Sequence, residues 1–149
     1  MAESLSAAPA RAPWHLWIVG GLSLVWNAMG ALDYTMTETR NAAYLKSMTP
    51  EQLAYLESFP AWAVAIWAIA VWGALLGSLL LLSRKCHATP VFVVSFVAML
   101  GTMIWSYGVS DGARVMGGAG AVVFSGAIFV VALALWFYAR TMDRRGVLR

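Results

Sequence analysis

Residues 61–83, AWAVAIWAIAVWGALLGSLLLLS, carry no charge and stop at Arg84 and Lys85. A bilayer core of about 30 Å needs roughly 20 apolar residues of helix, so this stretch is long enough to cross one. Working outward, the charge-free runs are 12–32, 58–83, 86–110 and 115–139, although the chain holds 17 charged residues (10 Lys+Arg, 7 Asp+Glu) among 149. A soluble domain would place charge on the exposed face of each helix every turn or two. The pattern excludes a soluble globular enzyme, a disordered chain and a nucleic-acid-binding module.

The expected fold is therefore all-α, an integral-membrane four-helix bundle over residues 13–140. Its spans fall at about 14–33, 61–83, 90–109 and 119–139, with Pro90 at a helix start, where a missing N–H costs nothing. Residues 1–12, MAESLSAAPARA, read as a disordered tail, and 141–149 as a basic tail. The first span is an uncleaved anchor, because it is longer than a signal h-region and its only small-residue exit, Met29-Gly30-Ala31, begins with a bulky Met.

Orientation follows the cations. Arg11, Arg84, Lys85, Arg140, Arg144, Arg145 and Arg149 fall on one face, whereas Arg40, Lys46 and Arg114 share the other with Asp33, Glu38, Glu51, Glu57 and Asp111. The positive-inside rule then predicts both termini in the cytoplasm. The net charge of +3 reports this asymmetry rather than an acidic partner. The single cysteine, Cys86, excludes an intrachain disulfide and falls in the inner 84–87 loop, where thiols stay reduced.

The outer loop, 34–60, contains MTPEQLAYLESFP. Thr49 as N-cap, Pro50 at the first helical position and Gln52 three residues after the cap form a capping-box pattern, and Leu53, Tyr55, Leu56 and Phe59 supply an apolar side. A short amphipathic helix over the bundle or on the membrane surface is expected.

Chemistry is sparse. No phosphate loop, HExxH or nucleophile elbow is present, and no Asp, Glu, Lys or Arg lies at mid-membrane depth to relay protons. No cofactor is expected. His15 and His87, both at the inner interface, are the imidazoles that could ligate a haem or metal across helices, or else are ordinary interfacial histidines. A small membrane enzyme on a lipophilic substrate would have to draw on Asp33, Tyr34, Glu38 and Asp111, with Arg40 and Arg114 able to neutralise them.

A polar layer is the stronger lead. At 1.5 Å per residue, Asn27, Thr102 and Ser125 fall roughly 10 Å below the outer surface, level with Trp67. Gly20, Ser23, Asn27 and Gly30 form one helical stripe, and Ser95, Met99, Thr102 and Ser106 another; both should face the interior. Two readings stay open. Asn27 bonded to Thr102 or Ser125 is helix glue, or Asn27 orients a neutral polar ligand on which Trp26, Trp67 or Trp72 stacks, Trp67 and Trp72 being too deep for an interfacial belt. Gly73 and Gly77 offer a small-residue surface for close helix approach, within the bundle or to a second copy.

The segments WNAMGALDYTM (26–36), FPAWAVAIWAIAVWGALLGSLLLLSRK (59–85) and PVFVVSF (90–96) resemble an uncharacterised group of small four-span bacterial inner-membrane proteins, some loosely called sugar transporters. The similarity covers roughly residues 14–145 and rests on Trp26, Asn27, Gly30, Tyr34, Pro60, Trp62, Gly73, Gly77, Arg84 and Lys85. It implies location in the bacterial inner membrane and no catalytic motif. The functional expectation is a non-enzymatic accessory or transport-related membrane component, in contact with lipids and able to join a homo-oligomer or larger membrane complex; the alternatives are a homodimeric transporter of a neutral, sugar-like solute and the small enzyme above.

Overall fold

The computed structural model describes residues 11–149 and is helical, with no strand among the described residues. Its elements are α1 (Trp14–Glu38), α2 (Ala42–Leu45), α3 (Pro50–Glu57), α4 (Ala61–Leu82), α5 (Ala88–Met103) with a π-helical continuation (Ile104–Val109), α6 (Gly112–Val115) and α7 (Ala119–Arg144). Four helical stretches, 14–38, 61–82, 88–109 and 119–144, are long and apolar enough to cross a membrane. The chain is a multi-pass membrane protein of the four-helix class. The tail expected over 1–12 lies, apart from Arg11 and Ala12, outside the described residues.

The helices run alternately up and down, so one end of the bundle gathers both chain ends and the 83–87 turn. The opposite, loop end carries residues 39–60 and 110–118. Helix α4 packs between α1 and α5, and α7 lies against α5; α7 and α1 scarcely approach each other. Glycines set the close contacts. A Cβ at Gly77 would sit 2.8 Å from the Phe92 ring, one at Gly73 3.1 Å from Ser95 Cβ, and one at Gly20 2.5 Å from Leu82. Gly30 is looser, with Val71 at 4.0 Å. The Gly73 and Gly77 surface is thus filled by α5 of the same chain.

Three helices end in the same way, on a residue with positive φ: Arg40 (51°) after α1, Arg84 (57°) after α4 and Gly146 (66°) after α7. Each turn closes by paired backbone bonds to the last helical carbonyls, for example Val147 N to Met142 O at 3.0 Å and Gly146 N to Asp143 O at 2.9 Å, which satisfies groups the helix leaves orphaned.

Several expected boundaries move. Helix α1 continues to Glu38, α5 starts at Ala88, so that Pro90 is its third residue and still needs no N–H partner, and α7 continues to Arg144. The segment read as a basic tail is folded. Val147 and Leu148 are buried, Arg149 N donates to Arg84 O (2.7 Å), Cys86 N to Arg149 O (2.9 Å) and Arg84 Nε to Val147 O (3.1 Å). Charge density alone suggested exposure; the two apolar residues between the arginines decide the outcome, because burying each removes apolar surface from water. They join Leu16, Leu81, Phe92, Leu135 and Met142 in an apolar core at this end.

At the loop end the capping box forms as the sequence implies. Thr49 Oγ1 accepts from Gln52 N at 3.2 Å, and Gln52 Oε1 accepts from Thr49 N at 3.0 Å. Helix α3 turns Tyr55 inward. It docks on α6 through Tyr55 Oη to Ser110 Oγ (2.9 Å) and the Arg114–Glu51 ion pair (2.9 Å), and Arg40 pairs with Glu57 (2.9 Å).

Candidate ligand cavity at the loop end

Beneath α3 lies a half-open cavity of about 280 Å³. Its floor and walls come from Trp67 of α4, Thr102, Ser106 and Tyr107 of the third span, and Phe124 and Ser125 of α7; Met48, Tyr55, Leu56, Phe59 and Met116 roof it, and Asp33 and Thr37 of α1 close one side.

The π-helical end of the third span shapes this wall. Ser110 N reaches back five residues to Trp105 O (2.9 Å), and Ser110 Oγ contacts both Trp105 O (2.9 Å) and Ser106 O (3.2 Å), so the widened turn keeps its carbonyls bonded. That register puts Thr102, Ser106 and Tyr107 on the cavity and turns Trp105 toward Trp62 and Phe59, with ring centroids 5.2 and 6.4 Å apart. Gly112 lets the following turn close in, since a Cβ there would lie 2.5 Å from both Ser106 O and Tyr55 Oη. Trp67 is held edge-to-face by Tyr34 (4.9 Å, 87°), the arrangement aromatic quadrupoles favour, and meets the tilted ring of Phe59 at 6.2 Å.

Some cavity hydroxyls are spoken for. Tyr107 Oη shares a 2.5 Å bond with Ser125 Oγ, and Thr102 Oγ1 donates to Ala98 O at 3.2 Å. Two are not. The side chains of Thr37 and Ser106 make no hydrogen bond among the described residues, but neither hydroxyl oxygen is sealed off: the fully buried side-chain atoms without a partner are Thr89 Oγ1 and Trp105 Nε1, so these two hydroxyls are open to the cavity they line. Thr37 also lines a second cavity of about 270 Å³ beside Glu38, Arg40, Leu53 and Glu57.

The expected polar layer divides. Trp67, Thr102 and Ser125 meet at the cavity, but Asn27 does not reach Thr102 or Ser125. Its Nδ2 donates to Ser78 Oγ (2.9 Å) and Ala74 O (3.3 Å) on α4, because the Gly20, Ser23, Asn27 and Gly30 stripe faces that neighbour. Trp26 packs on Phe124 (6.2 Å) beside the cavity rather than lining it. Trp72 is 48% exposed and points outward; its depth along the span left its helical face open, and that face is turned away from the bundle. Depth along a helix is legible from sequence, whereas the partner across it depends on neighbour order.

The remaining candidates have separate partners. His15 Nδ1 lies 2.6 Å from Tyr138 Oη, while His87 is near Cys86 Sγ (3.7 Å), and no group of three or more His, Cys, Asp or Glu gathers among the described residues. Tyr44 Oη donates to Asp33 Oδ1. This bond, with partial burial and the carboxylate charge, pushes the Tyr44 phenol up from 10.0 to about 12. Asp111 pairs with Arg114 at 3.8 Å. Sequence reasoning missed Thr37 and Phe124, although it did place Tyr55, Leu56 and Phe59 on the apolar side of a helix over the bundle; the signal for Thr37 was its place four residues beyond Asp33 on one helical face.

Compared with protein-family models, curated proteins and solved structures, the chain finds no match.

Proposed function

We propose that this protein is a non-enzymatic component of a bacterial inner membrane, accessory to a larger complex or transport-related, which holds a small uncharged ligand in the cavity at its loop end. One observation carries the reading: a half-open cavity with unpartnered hydroxyls at one end, set against a dry apolar core of Leu16, Leu81, Phe92 and Leu148 at the other. Such a bundle receives a ligand from one side and offers it no hydrated exit, which favours a binder over a conduit. The cation excess at the end with both chain termini supports a cytoplasmic placement of that end. The filled glycine surface on α4 weighs against the homodimeric transporter, because α5 already occupies the groove.

Proteoliposomes containing only this chain, assayed for glucose and glycerol uptake, test the reading together with mild-detergent purification and mass spectrometry of what co-purifies. A stable membrane partner and no flux is the expected result. Uptake that is abolished by Trp67→Ala would replace it with the transporter.

A further inference from the structure

The cavity has a side as well as an end. The backbones of α1 and α7 approach each other far less than those of α1 and α4, α4 and α5 or α5 and α7, and the two helices are bridged by the Trp26–Phe124 ring contact and, toward the other end, by the His15–Tyr138 hydrogen bond. Phe124 belongs to both surfaces, lining the cavity while 59% exposed on the flank of the bundle. Its neighbours Val122 and Val123 are 48% and 73% exposed. In a bilayer that flank meets acyl chains. The loop end, by contrast, is roofed by Met48, Leu56, Phe59 and Met116.

We infer that the ligand is a neutral, hydroxyl-bearing amphiphile that enters from the bilayer between α1 and α7 past Phe124, its head bonding Thr37 and Ser106 and its chain lying on Trp67 and Phe124. The inference rests on the reading of the cavity as a ligand site and adds the chemical class and the route.

Three features select this class. Thr37 and Ser106 present cavity-facing hydroxyls that make no side-chain hydrogen bond among the described residues, on a wall that is mostly apolar, so a group that both donates and accepts can bond to both. Among the described residues Asp33 is the only Asp, Glu, Lys or Arg on the lining, and its carboxylate disfavours an anionic head. The volume of about 280 Å³ lies just below the usual range of ligand pockets, roughly 300–1,000 Å³, enough for a head and part of one chain but not for a whole phospholipid.

The test uses the full chain in phosphatidylcholine nanodiscs and a diazirine-bearing decanol as the probe, with mass spectrometry of the labelled residues. Label is expected at Phe124, Ser125 and Trp67, displaced by decanol but not by decanoate or glucose. Thr37→Val and Ser106→Ala, which keep side-chain volume nearly unchanged, should each weaken displacement by about two- to tenfold. Label spread equally over the lipid-facing Val94 and Val97, with no displacement by decanol, overturns the amphiphile. Displacement by glucose also overturns it while leaving a ligand site in place. No cavity label and no effect of any competitor would remove the ligand site itself.

Discussion

Asn27 Nδ2 on α1 donates to Ser78 Oγ on α4 at 2.9 Å, and Ser78, fully buried, donates onward to Ala74 O at 3.0 Å. This chain of bonds ties two spans together outside the cavity. Asn27→Ala should therefore lower stability in detergent by about 0.6–2 kcal/mol and leave cavity labelling unchanged. Thermal unfolding and the decanol assay, run on the same variant, check both halves; weakened labelling at wild-type stability would return Asn27 to the ligand site.

Gly77 and Gly126 provide a matched contrast. A methyl at Gly77 meets the Phe92 ring at 2.8 Å, whereas Gly126 on α7 has open space. Overpacking of this kind costs about 1–3 kcal/mol, so Gly77→Ala should lower the melting temperature and Gly126→Ala should hold or raise it. Equal effects at both sites would mean that α5 does not fill the α4 groove.

Removing the Thr49 cap isolates the roof. Thr49→Ala deletes the side-chain acceptor for Gln52 N and should cost about 0.5–2 kcal/mol of helix stability. Because α3 covers the cavity, the expected readout is faster amide hydrogen exchange across residues 50–57 with little change in the spans.

Tyr44 gives the loop end an alkaline limit. Its pKa rises from 10.0 to about 12 because the phenol donates to Asp33. The fold therefore favours the protonated form. Its stabilising contribution is complete below pH 10 and is lost as pH rises through about 12. Tyrosinate absorbance should include a phenol that titrates near pH 12, and Tyr44→Phe should remove that component along with the part of the melting-temperature decline that falls in this window.

Gly146 is needed at the opposite end. With φ at 66° it occupies a left-handed conformation that costs an L-residue roughly 1–2 kcal/mol, and Val147 and Leu148 are buried only if the chain turns there. Gly146→Ala should destabilise the protein by about 1 kcal/mol and make Cys86, whose N–H bonds Arg149 O, more reactive toward a maleimide.

Much of this architecture could be read from the order of residues. Pro50, Thr49 and Gln52 specify the roof helix locally, since each acts within one turn of its own position. The depth of Trp67, Thr102 and Ser125 follows from counting residues inward from the span ends, and the counting brought these three to one level before any contact was known. Trp26 and Trp72 defeat the same arithmetic because depth does not say which face a residue occupies, and a span that is apolar on all sides carries no periodic signal of its buried face. Thr37 escaped for a related reason, as its hydroxyl matters only once α3 and the third span close over it.

By itself the sequence determined the four spans, their charge asymmetry and the capped loop helix, because membrane thickness, ion solvation and helix capping all act on local composition. Only the tertiary structure decided that Asn27 faces Ser78, that α5 fills the glycine groove, that the terminal Val147 and Leu148 seal one end, and that α1 and α7 leave a seam at the other. Those outcomes depend on which helix becomes whose neighbour, and helices whose surroundings are lipid on one side and lipid-like side chains on the other choose neighbours by shape, which residue order alone does not display.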